Sequence, residues 1–276
     1  MNEWFFRRVG YPLVALITMN TRFVLLSKRV VFPFLVFMVP AVMAMGWRVI
    51  YILTPPPLGS DAANSFFMYS EIISNLSIQF IIPLIALILG TSSMAGVIED
   101  GTYLFLRLRP VPRTVIVSGK FLAYVASTFL LLAFSLSLTF AIMSSLPGSD
   151  MFPGDLPALF RGIWVFSLSL AVYGAVMMML GIAFKHSFLM GIMLLFVWEN
   201  FAVYIPGTTY QLTIRHYTQS LLPEGGANSL LTLLNPHPPA TKLTALCVLF
   251  AVMAVAILLT TLILKRKELT GKEQEG

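Results

Sequence analysis

Charge is what this chain has least of. Of its 276 residues only 11% are Asp, Glu, Lys or Arg, while 58% are apolar; a soluble domain carries roughly a quarter charged residues. That scarcity excludes an ordinary soluble fold and fits a chain that crosses hydrocarbon several times, where each charge is costly. Cysteine is nearly absent too. Cys247 stands alone, which excludes an internal disulfide and a cysteine-based metal site, and it reads as a small apolar filler in the last apolar run. His186, His216 and His237 fall in different loops without His-x-x-x-His spacing, so they read as loop or interface histidines and no metal is expected. The sequence has no Gly-x-x-x-x-Gly-Lys-Ser/Thr loop, no Gly-x-Ser-x-Gly elbow and no Ser-His-Asp arrangement. The chain is therefore not expected to be an enzyme in itself or to bind a cofactor. The net charge of +6 does not point to nucleic acid, because the basic residues gather at the ends of apolar runs, where they set membrane topology.

What is present is a series of long apolar runs. Residues 1–30 mix Trp4, Phe5, Phe6 and Tyr11 with Arg7, Arg8, Arg22, Lys28 and Arg29, a pattern suited to a helix on the cytoplasmic membrane surface. The first apolar stretch lacks the short core and small-residue site of a cleavable signal, and is read as retained. Spans are expected at about 31–53, 76–98, 115–145, 159–184, 187–205 and 241–264. The third, about 46 Å long at 1.5 Å per residue, exceeds the roughly 30 Å hydrocarbon core and must tilt or project. Residues 206–240 are too polar and broken to span, yet Leu212, Ile214, Leu221, Leu222, Leu230 and Leu231 are too apolar for a free loop. Short external or re-entrant helices before the last span are expected there, and 265–276 reads as a cytoplasmic tail. On the fourth span Ala171, Gly174, Ala175 and Gly181 recur at helical spacing, which lets another helix approach closely.

Placing the amino terminus inside puts fourteen of the eighteen basic residues on the cytoplasmic side and leaves Arg48, Arg161, Arg215 and Lys242 outside. The positive-inside rule reads this as six spans with both termini in the cytoplasm. The expected fold class is thus an all-α polytopic membrane protein.

Residues 99–113 form a compact charged loop between spans two and three. Gly101 permits a backbone conformation that ends the second span. Thr102 can cap a short helix, with Glu99 and Asp100 near its positive end. Pro110 prevents that helix from continuing. Tyr103, Leu104, Phe105, Leu106 and Leu108 would then stand on a short rigid knob outside the bilayer, a patch of the kind normally covered by a partner or by membrane.

This run resembles the coupling-helix region of ABC-2 type transporter permeases. Their pattern is acid-x-Gly-Thr, a Pro-x-Ser-Arg turn, and Gly-Lys opening the third span; the matches here are Glu99, Gly101, Thr102, Pro110, Arg113, Gly119 and Lys120. The chain departs from the pattern at Val97, Leu104, Arg109 and Pro112. The six-span order, the amino-terminal interfacial helix and Asn235-Pro236 before the last span are similar as well. The resemblance implies a prokaryotic plasma-membrane exporter half. It would pair with an identical or different permease chain and be driven by a separate cytoplasmic ABC ATPase that holds ATP and Mg. Glu99, Asp100, Gly101, Thr102, Tyr103, Phe105, Leu106, Pro110 and Arg113 would couple the two. The apolar spans favour an amphipathic or lipid-like cargo.

One intramembrane group stands out. Glu199 and Asn200 interrupt the fifth span, and a carboxylate there is costly enough to be a candidate for the substrate path; shifted outward, it would simply be solvated. Trp198-Glu-Asn-Phe201 followed by Arg215-His216-Tyr217 is similar to a permease subgroup associated by name with copper-enzyme maturation. The alternative function is a non-transporting membrane anchor or regulatory subunit of an ATPase complex.

Overall fold

Proline placement and the length of the apolar runs decide where the helices begin. The computed structural model describes residues 31–54, 72–94, 113–145, 154–202, 208–222 and 238–273, together with 18, 69 and 205, and these form helices with no strand among them. Helix α1 is Val31–Leu53, with Pro40 inside it. A proline there strips a carbonyl one turn back of its donor; beside it, the Ser135 hydroxyl donates to the Phe37 carbonyl and ties α1 to the helix that bears Ser135.

Helix α2, residues 72–94, is wound unevenly. Ile72–Ile81 and Ala86–Gly90 have the wider i→i+5 hydrogen bonding of a π-helix, on either side of an α-turn at Ile82–Ile85 that contains Pro83. Helix α3 is Arg113–Ser144. Helix α4, Leu156–Ala183, opens on Pro157, where a missing N–H costs nothing. It closes at Phe184, whose extended backbone leads through Lys185 and His186 into α5. Helix α5, Ser187–Phe201, has a π-helical segment at Met193–Trp198. A 3₁₀ turn at Thr209–Leu212 precedes α6, Ile214–Leu221, and α7 is Lys242–Glu273. The expected polar tail from 265 continues α7 as helix as far as Glu273, since its Lys, Arg, Glu and Leu residues are good helix formers and no proline stops them.

Among the described residues, five helices are long and apolar enough to cross a membrane: α1, α2 from Leu76, α3, α4 and α7. Helix α5 is shorter. The expected fifth span of 187–205 ends its helix at Phe201, giving about 22 Å against a core of about 30 Å.

Contacts fix the directions. Arg48 Nη1 donates to Ser145 Oγ and Ser135 to Phe37, so α1 and α3 run parallel. Lys120 of α3 reaches Ser93 of α2, and Tyr124 of α3 reaches Leu170 of α4, so α2 and α4 run the opposite way. The bundle therefore has a Leu53 end and a Lys185 end. Helix α4 is its axis: 78% of that span is buried within the chain, against 22% of α1 and 17% of α7. Cys247, expected as a filler, lies on the exposed face of α7, where a small apolar side chain costs nothing if lipid covers it.

Candidate functional site

The small residues on α4 set how closely its neighbours approach. A β-carbon on Gly174 would stand 2.1 Å from the Tyr124 ring, and one on Gly181 would stand 2.9 Å from the Thr91 carbonyl. Gly90 of α2 faces Met177 and Gly174 in the same way, and Gly191 of α5 faces Leu87. From mid-bundle to the Lys185 end, α2, α3, α4 and α5 are thus fitted together at glycine contacts. The Tyr124 hydroxyl, buried, donates to the Leu170 carbonyl at 3.0 Å, which satisfies a polar atom that this packing hides.

Towards the middle of the bundle the chain buries a carboxylate. Glu199 is 5% exposed, so the solvated alternative does not hold. Tyr173 Oη donates to its Oε2 at 2.6 Å, the backbone N–H of Ile214 to Oε1 at 3.0 Å, and that of Arg215 to Oε2 at 3.2 Å. All three partners are donors, so the carboxylate serves purely as an acceptor. The two N–H groups belong to the first turn of α6, where helix donors lack partners and the helix dipole is positive. Glu199 therefore joins the end of α5 to the start of α6 and ties both to α4. Asn200 is exposed; its Oδ1 accepts from Arg215 Nη1 at 3.4 Å, and its amide donates to the Phe196 carbonyl. The Arg215 guanidinium, itself buried, supplies positive charge beside Glu199. Thr213 caps α6 by accepting from the His216 N–H, and the buried His216 ring meets Tyr210 and Tyr217 edge-on at 4.9 and 5.2 Å.

Helix α6 continues in the direction of α5. Its Thr218 Oγ1 lies 3.1 Å from Ser169 Oγ, one turn along α4 from Tyr173 towards the Leu53 end. The Ser220 hydroxyl accepts from the Ala240 N–H where the chain turns into α7. The first turns of α5 pack on α4 and Ala86–Gly90, whereas α6 packs on α4, α7 and Ile72–Ile81. The two helices thus occupy successive levels of the same bundle.

The other anchor is at the opposite end. Lys120 Nζ donates to the Ser93 carbonyl at 2.8 Å, closing the last turn of α2 onto the second turn of α3 across the loop that separates them. Arg113 is the first residue of α3. Glu99, Asp100, Gly101, Thr102, Tyr103, Phe105, Leu106 and Pro110 lie outside the described residues, as do the expected interfacial helix of 1–30, apart from Thr18, and any external helix within 223–237.

Sequence reasoning found Glu199 and Asn200 and missed what holds them. Tyr173 precedes Glu199 by 26 residues, and the capped N–H groups follow it by 15 and 16. The one local signal was Thr213 directly before an amphipathic run, a helix-start signature. The model of the family described as ABC-2 family transporter protein matches residues 56–269, most of the chain. No curated protein matches it.

Proposed function

This chain belongs to the ABC-2 transporter family, a membrane permease component of an ABC transporter, and on that premise we propose how it works. It is one half of an exporter that dimerises with an identical or related chain in the plasma membrane of a prokaryote and is driven by a separate ABC ATPase that binds ATP and Mg. The carrying observation is the family match from 56 to 269, which includes the Glu99–Arg113 stretch and every long apolar helix described except α1. Helices α1 to α4 and α7, with α5 and α6 sharing one level each of a fifth crossing, make six crossings with both termini in the cytoplasm. The split of basic residues and the alternating helix directions support that topology. ATP-driven closure of the ATPase pair pushes on the apolar knob of Tyr103, Phe105 and Leu106. The turn from Pro110 to Arg113 passes the displacement into α2 and α3. An amphipathic or lipid-like cargo suits a chain whose described spans carry so few charges. Glu199 and Asn200, the candidates for the cargo path, serve first to hold α5, α6 and α4 together.

The test is purification from native membranes in mild detergent, with identification of co-purifying proteins and a vanadate-sensitive ATPase assay. A stoichiometric ATPase is expected, and Phe105→Glu with Leu106→Glu should remove it while leaving the chain in the membrane. If no ATPase accompanies the wild-type chain, the permease mechanism gives way to an anchoring or regulatory subunit.

A further inference from the structure

A membrane crossing is normally one helix because backbone hydrogen bonds tie each turn to the next. Between α5 and α6 that continuity is interrupted. Glu199 lies twelve residues beyond the start of α5, about 18 Å from the Lys185 end, and Tyr173 lies ten residues before the end of α4, about 15 Å from it. Both distances place the junction about half-way through a 30 Å core. The 15 residues of α5 (about 22 Å) stop two residues beyond Glu199, short of the far side of the core. The 8 residues of α6 (about 12 Å) supply the remaining length. In place of a continuous helix ladder, the described contacts at the junction are the hydrogen bonds that Glu199 and Asn200 accept. The helical segments on either side of the junction, Met193–Trp198 beneath it and Ile72–Ile81 against α6, are π-wound, a winding that is frequent at functional sites.

We propose that Glu199 is a latch and α6 the movable element it holds: α5 and α6 form one discontinuous crossing, and release of α6 from Glu199 opens the Leu53 side of the path during the transport cycle. The gating half of this inference rests on the permease reading; the latch half does not. Glu199 is a positioning residue here, acting through α6. The three donors on its two oxygens hold the start of α6 against α4, and the Ser169–Thr218 contact holds its middle. Movement of α6 would uncover Thr218, which is fully buried, and would free the α4 face at Ser169 while leaving in place the glycine-fitted contacts of α2, α3 and α5 with α4 and with one another, none of which involves α6.

The full chain with Cys247→Ser provides a cysteine-free background for thiol labelling. Thr218→Cys is introduced into it, and labelling by a membrane-impermeant maleimide is followed in intact membranes. With Glu199 present, labelling should be slow. Glu199→Ala should speed it at least tenfold. Tyr173→Phe, which leaves both backbone bonds in place, should give a smaller rise. Ser135→Cys, buried between α1 and α3, must stay protected in each background; if Glu199→Ala exposes it too, the comparison rests on Tyr173→Phe and Glu199→Gln. Fast labelling at 218 with Glu199 intact, or equal protection with and without it in a folded bundle, overturns the latch. In the complex with its ATPase, trapping with ATP and vanadate should change labelling at 218 by severalfold, and an unchanged rate overturns the gate. The first comparison needs no ATPase, so a failed latch leaves the permease reading standing, and absence of an ATPase leaves the latch standing.

Discussion

Gly174→Ala puts the fit of α3 on α4 to the test. The added methyl would stand 2.1 Å from Tyr124 Cε1 and 2.7 Å from its hydroxyl oxygen, well inside contact distance. Tyr124 is buried and cannot swing into solvent, so its ring must shift and its hydrogen bond to the Leu170 carbonyl must lengthen or break. Overpacking of this kind costs about 1–3 kcal/mol. The lost buried hydrogen bond adds about 1 kcal/mol. Replacing a mid-helix glycine by alanine returns about 1 kcal/mol in helix propensity, leaving a net loss of about 1–3 kcal/mol. At roughly 2–4 °C per kcal/mol for a chain of this size, the melting temperature of the purified protein in detergent should fall by roughly 2–12 °C. The same substitution in a Tyr124→Leu background, where the ring is gone, should be neutral or stabilising. The reversal of sign is the informative result. If Gly174→Ala alone leaves the melting temperature unchanged or raises it, the close approach of Tyr124 to α4 is not what that glycine provides.

Two further substitutions address the loop between α2 and α3. Lys120→Met removes the donor to the Ser93 carbonyl; the net loss should be only about 1 kcal/mol, but amide hydrogen exchange over residues 91–94 should accelerate severalfold, and unchanged exchange would show that Lys120 does not hold the end of α2. Gly101→Val should leave the chain inserted and the ATPase bound while abolishing the effect of ATP and vanadate on labelling at Thr218→Cys. A wild-type response in that variant would remove Gly101 from the coupling path.

The long helices were legible in the sequence because apolar length is a local property. The runs that end in α1, α3 and α4 are bounded by prolines and charges that read directly as stops. The small face of α4 was legible too, since Gly174 and Gly181 recur at helical spacing, although which neighbours occupy it, Tyr124 and Thr91, is a tertiary matter. The proposed fifth crossing was legible only in part. Hydropathy continues past Phe201, so 187–205 reads as one span; Thr213 marks the start of a short helix, but nothing local says that the first helix stops at Phe201 or that the second resumes its course. Glu199 was visible as an anomaly, but the groups that satisfy it come from α4 and from the start of α6. A carboxylate whose partners lie on other helices can be recognised in sequence as costly, not as capped. Lys120 was likewise visible as part of a Gly-Lys pair, with no indication that a backbone carbonyl of α2 would receive it.

Helix α3 has a consequence for the lipid around this protein. Its 32 residues extend for about 48 Å, and tilting alone would have to exceed the roughly 40° upper range of membrane helices to fit it within 30 Å of hydrocarbon. In the proposed topology its first turns, bearing Lys120, stand clear of the hydrocarbon together with the end of α2, as a two-helix stalk clasped by the Lys120–Ser93 bond. The height of that stalk is set by the bilayer. A thicker membrane submerges part of it and a thinner one lengthens it; under the coupling mechanism proposed above, membrane thickness becomes a determinant of the lever through which the ATPase would move the transmembrane helices.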